Sequence, residues 1–228
     1  MEPGGRRVRS FVRRAGRTTV AQSRALAEFW PRYGIEKPAD GIDLDAAFGR
    51  RAPRHCEIGF GDGAALAVSA RAHPELDFLG IEVHEPGVGR LLLAIEEYGL
   101  ENVRIIMHDA VEVLAGWMPA ESLDRVNIFF PDPWPKKRHH KRRLIQAPFL
   151  AKLHRVMRPG AVLHMATDWE HYAEQMLEVT DAFPGFDNTA GDGRYSPRPS
   201  ERPETRFEKR GLRLGHGVRD LLYRKVEA

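Results

Sequence analysis

Short apolar runs alternate with longer segments of helical periodicity from residue 55 onward. This alternation is typical of repeated β-α units, whose strands form a largely parallel sheet. The predicted strands cover residues 55–60, 77–83, 103–109, 125–130 and 162–168, and two more are predicted in about the last 45 residues, one at 218–227. The predicted helices cover residues 64–73, 87–99, 110–118 and 143–157. The sequence therefore predicts a doubly wound α/β fold with a mostly parallel, seven-stranded, Rossmann-like sheet.

The chain divides by composition into a basic start and a longer globular part. Its 228 residues are 42% hydrophobic and 29% charged, which suits one α/β domain with a terminal extension. The first 20 residues hold six arginines and one acid. We therefore expect a basic, partly flexible N-terminal arm at 1–40 and one domain at 41–228. The Pro-rich, charged segment 194–211 is predicted to be a long loop.

Several functional classes are disfavoured by what the sequence lacks. No apolar run approaches the ~20 residues of a membrane span, and the N-terminus has no apolar signal segment. The single cysteine, Cys56, lies in an apolar run and is expected to be buried, without a disulfide or a Cys-type zinc site. No histidine pair has a recognisable metal spacing. We expect a cytoplasmic protein with no metal and no membrane contact.

A glycine-rich turn, EIGFGDG at Glu57–Gly63, follows the first predicted strand. In an open parallel sheet, ligands bind at the carboxyl ends of the strands, where Gly59, Gly61 and Gly63 would allow close approach to the backbone. The G-x-G-x-G spacing lacks the last glycine of the dinucleotide pattern, which disfavours NAD and FAD. A tight turn without a ligand is the structural alternative.

Carboxylates occupy the ends of successive predicted strands. Glu82 follows the glycine turn by some twenty residues, where a carboxylate can accept hydrogen bonds from ribose hydroxyls. Asp109 ends the third strand, where it could accept a hydrogen bond from the amine of adenine, and Glu57 lies in the first. A lone acid at a strand end is commonly a helix cap or a solvated charge. Three in succession favour a ligand site.

The fourth predicted strand leads into a segment with acidic, aromatic and basic parts in order. Asp132 stands between two prolines, which restrict the backbone around it. Trp134 offers a surface on which a base could stack, and residues 136–143 hold six Lys or Arg, two His and no acid. Such a run provides phosphate contacts that the modest net charge of +3 conceals. The structural alternative is a rigid turn, a core tryptophan and a solvated helix start.

Together these segments resemble one enzyme family. EIGFGDG and GIEVH resemble the glycine turn and ribose-binding strand of class I S-adenosylmethionine-dependent methyltransferases. PDPWPKKRHHKRR at 131–143 is similar to the P-D-P-W-P-K-x-R-H-x-K-R-R pattern of the bacterial tRNA (guanine-N7-)-methyltransferases. The arm RSFVRRAGRTT with Gln22, ATDW at 166–169 and TRFE at 205–208 resemble further elements of that family. The resemblance covers nearly the whole chain.

The resemblance implies methyl transfer from S-adenosylmethionine to N7 of guanine 46 in the tRNA variable loop. It implies that Asp132 is catalytic and that Glu57, Glu82, Asp109 and Asp132 contact the cofactor. It assigns substrate binding to Lys136, Asp168, Thr205, Arg206, Phe207 and Glu208, and RNA contacts to Arg138, His139, His140, Lys141, Arg142 and Arg143. The expected partner is tRNA, and the protein is expected to be a monomer or a homodimer.

Three other functional classes stay open at this point. A nicotinamide-dependent oxidoreductase would share the sheet and the ribose acid, but it offers no reason for the basic run. A non-catalytic RNA-binding module would explain the basic run and Trp134, but not the acids at successive strand ends. A methyltransferase acting on another RNA or on protein would share the cofactor site, because cations recognise any phosphate chain.

Overall fold

The computed structural model describes residues 10–11, 16–205, 208 and 217–227, and all bounds below refer to these residues. The strands are β1 (Arg54–Ile58), β2 (Asp77–Ile81), β3 (Val103–Ile106), β4 (Leu123–Phe129), β5 (Met157–Thr167), β6 (Phe186–Asn188) and β7 (Arg219–Lys225). The α-helices are α1 (Val20–Tyr33), α2 (Leu44–Phe48), α3 (Ala64–Ala72), α4 (Glu85–Tyr98), α5 (Ala110–Gly116), α6 (Ala147–Val156) and α7 (Glu170–Asp181). A 3₁₀ helix covers Lys137–Arg142.

One seven-stranded sheet has the strand order β3-β2-β1-β4-β5-β7-β6. Its first five strands pair in parallel, and β7 lies antiparallel between β5 and β6. The predicted mostly parallel sheet and its seven strands are confirmed. Strand β5 begins at Met157, five residues before the predicted start, because Leu123 pairs with Met157 before a bulge shifts the register to Arg125 and Val162.

Helices cover both faces of the sheet. Helices α1, α3 and α4 bury apolar residues such as Leu66 and Leu91 on one face. Helices α2, α5, α6 and α7 bury others, such as Leu114 and Phe149, on the opposite face. Cys56 is fully buried in β1, as expected. The parallel strands therefore end at one sheet edge between two apolar layers, which is where a ligand crevice forms in this architecture.

The apolar pattern does not predict α1, which lies inside the segment expected to be an arm. Thr19 and Gln22 form a capping box at its start, and the Gln22 side chain also donates to the carbonyl of Pro86. A Cβ on Gly89 of α4 would lie 2.8 Å from the Cβ of Gln22, so the missing side chain allows the two helices to approach closely. Residues 20–33 therefore pack on the domain. The division at residue 40 stays a prediction.

The other differences concern short or irregular elements. Helices α2 and α7 and the 3₁₀ helix are not predicted, and α6 begins at Ala147 rather than at residue 143. Residues 194–205 are irregular, apart from a bridge between Ser196 and Asp220, and Glu208 is helical. None of the helices in the described ranges has the length and hydrophobicity needed to span a membrane.

Candidate active site

A cavity of about 340 Å³ opens at the carboxyl ends of β1, β2, β3 and β4. Its lining includes Glu57, Glu82, Asp109 and Asp132, each at the end of one of these strands or in the turn that follows it, together with Asp62 of the glycine turn. Parallel strands bring their carboxyl ends to one edge of a sheet, so the spacing of the acids in sequence becomes proximity in space. The four candidate carboxylates therefore share one crevice.

The glycine turn forms one wall of this cavity. Gly59 and Gly61 line it, and both adopt positive φ (75° and 60°), which glycine accommodates without steric cost. A Cβ on Gly87 of α4 would lie 2.1 Å from the carbonyl oxygen of Gly61, so this helix packs directly against the turn. Gly63 does not line the cavity. It precedes α3, and a Cβ there would lie 2.7 Å from the Cβ of Leu91.

Backbone amides hold the Glu82 carboxylate at the edge of the glycine turn. Its Oε2 accepts from the N–H of Gly61 at 2.9 Å, and its Oε1 accepts from Val83 at 2.7 Å and His84 at 3.1 Å. A carboxylate has about four lone-pair sites, so the three bonds fix its orientation and leave acceptor capacity for a ligand. Asp109 is both a helix cap and a cavity residue: its Oδ1 accepts from the N–H of Val111 at 2.9 Å.

The Glu57 carboxyl has an unusual protonation equilibrium. Burial raises its pKa to about 8, and the negative charges of Glu82 and Asp62 add to the shift. At neutral pH the side chain is therefore largely protonated. A positively charged group in the cavity would favour the ionised form, because an opposite charge at close range stabilises a carboxylate. Glu57 is thus suited to bind the cationic part of a ligand.

Strained backbone surrounds Asp132 at the mouth of the cavity. Phe130 and Trp134 both adopt positive φ (51° and 45°), although neither is glycine, and Pro131 and Pro133 flank the aspartate. The amide of Phe130 is held by the carbonyl of Ala166 on β5. Such strain, about 1–3 kcal/mol per residue, concentrates at sites where a side chain must be held in one place. The backbone that carries Asp132 is therefore restricted at the mouth of the cavity.

Trp134 joins the N-terminal segment to the basic run and does not line the cavity. Its Nε1–H donates to the carbonyl of Ser10 at 3.0 Å, and the guanidinium of Arg142 lies 4.7 Å from the centre of its ring. His139 meets the ring edge-on at 5.9 Å. One face of the ring is therefore covered by Arg142, which differs from the expected open stacking surface for a base.

The basic run, defined as residues 136–143, forms the rim beyond Asp132. Lys136, Lys137, Arg138 and Lys141 are exposed, and Arg142 is half-buried on Trp134. Partial desolvation lowers the pKa of His139, and the surrounding cations lower it further. The rim therefore presents a concentrated positive charge beside the cavity.

The burial of Arg143 disfavours its predicted contact with RNA, which stays a prediction. This side chain is only 4% exposed, and it donates to the carbonyls of Pro133 and His171 and to the side-chain oxygen of Gln175. Its guanidinium also lies 4.8 Å from the centre of the Tyr172 ring. Arg143 therefore connects the Pro-Asp-Pro turn to α7, and it is not accessible to a phosphate.

The TRFE segment contributes to the site through its first described residue. Thr205 lines the cavity, and its hydroxyl oxygen accepts from the N–H of Glu208 at 3.1 Å. Glu208 was expected to bind substrate, but it is 2% exposed and both its carboxylate oxygens accept from Arg202. This burial disfavours a direct contact between Glu208 and substrate, and its role in substrate binding stays a prediction. Arg206 and Phe207 lie outside the described residues.

The remaining predicted substrate residues lie near the mouth but outside the cavity lining. Lys136 is exposed at the start of the 3₁₀ helix, and Asp168 is half-buried directly after β5, the strand that neighbours β4. Other residues that line the cavity include Ser10, Phe11, His84 and His108. Ser10 and Phe11 lie in the RSFVRRAGRTT arm and His84 lies in the GIEVH strand, so the resemblance includes these three, whereas nothing in the sequence singles out His108. Within the described ranges, no cluster of three or more metal-ligating side chains occurs.

Comparison with known proteins connects this geometry to one family. A family model described as "Putative methyltransferase" matches residues 51–221. The chain is 58% identical over 226 residues to the tRNA (guanine-N(7)-)-methyltransferase of Alkalilimnicola ehrlichii, covering 98% of this chain and 95% of that protein. It is 62% identical over 220 residues to the enzyme of the same name from Burkholderia ambifaria, covering 96% and 86%.

Solved structures with similar folds are methyltransferases of low sequence identity. One is the 16S rRNA methyltransferase KamB, with a TM-score of 0.57 and 18% identity over 86% of this chain and 99% of that one. Another is a 16S rRNA (adenine(1408)-N(1))-methyltransferase from Catenulisporales acidiphilia, solved with its cosubstrate SAM. Its TM-score is 0.56, with 21% identity over 84% and 95% of the two chains. At these identities, the similarity shows the fold alone.

Proposed function

Because this chain belongs to the tRNA (guanine-N(7)-)-methyltransferase family, we propose that it transfers a methyl group from S-adenosylmethionine to N7 of guanine 46 in the tRNA variable loop. One observation carries the proposal. Four carboxylates converge on a single cavity, and exposed cations form the rim next to it. This combination suits a nucleoside-containing cofactor inside and a polyphosphate substrate outside.

The cavity fits the proposed cofactor by the chemistry of its donors. Glu82 and Asp109 offer acceptor oxygens at adjacent strand ends, as an adenosine group requires. Gly59 and Gly61 leave the backbone open on one wall, and Glu57 is suited to the positively charged methionine end. When bound, S-adenosylmethionine supplies an electrophilic methyl group on a sulfonium. We propose that these residues, with Asp132, hold it.

Asp132 acts on the substrate by orientation and charge. Guanine N7 carries a lone pair and no proton, so no residue must act as a general base at this atom. The purine becomes positive as N7 is methylated, and a fixed carboxylate nearby favours that charged state. Asp132 and Asp168 can also accept the N1 and N2 hydrogens of guanine, a pattern that adenine does not present. Holding N7 near the methyl group contributes further through proximity.

The rim recognises the polyanionic part of tRNA. Exposed Arg138 and Lys141, with Arg142 beside them, are placed to contact phosphates. Such contacts position the RNA without reading its sequence. The residues at the cavity mouth, Asp132 and Asp168, must therefore select guanine. Because the proposed substrate is tRNA, we place the protein in the cytoplasm. A monomeric or homodimeric state stays a prediction.

Methylation of defined transcripts tests this function. The purified protein is incubated with labelled S-adenosylmethionine and a tRNA transcript that carries guanine 46, and 7-methylguanosine is mapped. We expect label at position 46 only. A transcript with 7-deazaguanine at this position keeps the N1 and N2 edge but lacks the N7 lone pair, and it should accept no label. Methylation of the deaza transcript, or of ribosomal RNA in preference to tRNA, would contradict the proposal.

The raised pKa of Glu57 predicts that cofactor binding strengthens with pH. With a pKa of about 8, roughly one molecule in ten is ionised at pH 7 and about three in four at pH 8.5. Binding a cationic group requires the ionised form, so the Kd for S-adenosylmethionine should fall roughly eightfold between these pH values. Calorimetry in buffers of different ionisation enthalpy should also show proton release at pH 7.

Glu57→Gln provides the matched control for this pH dependence. The amide keeps the shape of the side chain but cannot ionise, so cofactor binding should be weaker and nearly constant from pH 7 to 8.5. A parent protein whose Kd is also constant over this range, with no proton release, would contradict the role of Glu57.

A further inference from the structure

A buried cluster of charged side chains lies outside the cavity, beneath the loop that precedes Thr205. We call it the Arg202 cluster, and its members are Arg125, His164, Arg198, Arg202, Glu208 and Asp220. Arg125, His164 and Asp220 lie on three strands of the sheet. Arg198 and Arg202 lie in the loop, and Glu208 follows Thr205. Arg202, Glu208, Asp220 and His164 are almost completely buried, at 3%, 2%, 2% and 0% exposure. Burying so many charges is costly unless each is paired, so the pairing is informative.

One guanidinium joins the loop to the sheet. The two terminal nitrogens of Arg202 each donate to one oxygen of Glu208, both at 2.7 Å, which is the two-pronged contact typical of arginine and a carboxylate. Its Nε lies 2.8 Å from Oδ1 of Asp220 on β7. Arg198 donates to Glu208 at 3.0 Å and to the carbonyl of Arg202 at 2.8 Å. These ion pairs therefore hold the loop in addition to its single backbone bridge between Ser196 and Asp220.

The neighbouring strands hold Asp220 in turn. Oδ1 of Asp220 lies 2.7 Å from Nε2 of His164, and Nδ1 of His164 lies 3.0 Å from a terminal nitrogen of Arg125 on β4. Because arginine can only donate, Nδ1 must accept, and the imidazole proton must lie on Nε2. His164 therefore donates to Asp220 as a neutral ring. This chain of contacts runs from β4 through β5 to β7.

The Arg202 cluster reaches the cavity at two points. On the loop side, Glu208 donates its N–H to the hydroxyl of Thr205, which lines the cavity. On the sheet side, the Arg202 guanidinium lies 5.8 Å from the ring centre of Phe129, and His164 meets the same ring edge-on at 4.9 Å. Phe129 also lines the cavity and ends the strand that leads to Asp132. Arg202 is thus linked to Thr205 through Glu208, and it lies beside Phe129 directly.

We propose that Arg202 is a positioning residue for the methyl transfer: it holds Thr205 at the cavity, near the end of β4 that leads to Asp132. This inference rests on the proposed function, since it concerns how the same site receives guanine. A loop held in place before the substrate arrives does not have to be ordered on binding, which preserves affinity and alignment. Arg202 itself does not touch the substrate.

The test compares Arg202→Met with a matched ion-pair variant, Arg50→Met. Arg50 contacts the fully buried Asp77 at 2.7 Å, at the amino end of β2 and away from the cavity. Both changes leave a buried carboxylate without its arginine, so both should lower Tm. At a temperature well below either Tm, we expect Arg202→Met to raise the KM for tRNA about tenfold and to lower kcat, with the Kd for S-adenosylmethionine within about twofold. Arg50→Met should leave all three constants near the parent values.

A conservative variant separates geometry from charge. Arg202→Lys keeps one positive charge but cannot contact Glu208 with two parallel bonds, so its KM should lie between those of the parent and Arg202→Met. If Arg202→Met does not fold, Asp220→Asn removes the sheet-side charge at constant size and should raise KM in the same direction. If Arg202→Met and Asp220→Asn both have the KM and kcat of Arg50→Met, the inference is overturned and Arg202 is a purely structural residue.

A readout without tRNA distinguishes failure of this inference from failure of the proposed function. Amide hydrogen exchange of residues 195–205 should be about tenfold faster in Arg202→Met than in the parent, and unchanged in Arg50→Met. If the parent protein methylates no tRNA but the exchange difference is present, the proposed function fails and the anchoring stands. If the parent methylates tRNA and residues 195–205 exchange equally fast in the parent and in Arg202→Met, Arg202 does not anchor the loop.

Discussion

Replacing Asp132 with alanine should lower kcat by roughly 10²- to 10³-fold, the usual effect of removing one preorganised electrostatic group. The carboxylate is held at the cavity mouth between two prolines and two residues of positive φ, so it is placed before the substrate arrives. Because it favours the charge that develops on the purine, its loss should affect turnover more than binding. Single-turnover methylation and a filter-binding assay for tRNA measure the two effects separately.

Asp132→Asn is the control for the Asp132 prediction. The amide has nearly the same size and keeps one acceptor oxygen, but it carries no charge. If the negative charge is what matters, the asparagine variant should be nearly as slow as the alanine variant. Activity of Asp132→Ala within about threefold of the parent would contradict a catalytic role. Full activity of the asparagine variant alone would restrict the role to hydrogen bonding.

The triple variant Arg138→Ala, Lys141→Ala and Arg142→Ala should weaken tRNA binding on the order of a hundredfold at 0.15 M salt. Each phosphate contact releases counterions, so the loss of three contacts should reduce the slope of log K against log[salt] by roughly 2 to 3. The measurement is a tRNA titration at several salt concentrations. The Kd for S-adenosylmethionine should not change, because these side chains do not line the cavity.

Arg143→Ala is the matched control within the same run. This arginine is buried against Tyr172 and the backbone of the Pro-Asp-Pro turn, so its loss should lower Tm and leave the salt slope of tRNA binding unchanged. An unchanged slope in the triple variant would mean that RNA binds elsewhere. If Arg143→Ala reduces the salt slope of tRNA binding but leaves Tm unchanged, this side chain leaves its buried position when RNA binds.

The sequence predicts the sheet and the four carboxylates because both follow from local pattern and a topological rule. Apolar runs of strand length identify β1 to β5, and right-handed β-α units direct their carboxyl ends to one edge. Glu57, Glu82, Asp109 and Asp132 then become neighbours without any knowledge of tertiary contacts. Helix α1 escapes this reasoning, because it directly follows the basic arm and its fourteen residues bury only Ala25 and Tyr33.

Long-range pairing cannot be predicted in the same way. Arg143 resembles its exposed neighbours in sequence, and only the position of α7 buries it. Glu208 becomes inaccessible because Arg202 and Arg198 fold back onto it from the preceding loop. Ser10 precedes the nearest strand end by nearly fifty residues and still reaches the cavity. Each of these outcomes depends on which segments meet in three dimensions, and residue type alone does not determine that.

The left-handed backbone at Phe130 and Trp134 implies a trade-off between thermal stability and catalytic activity in this protein. Substitutions that relax a strained residue commonly raise stability, and those at an active site commonly reduce activity. A selection for survival at high temperature should therefore accumulate glycine or asparagine at these two positions and lose methylation as it does so. Stabilising changes that preserve the enzyme should be sought on the surface far from this turn.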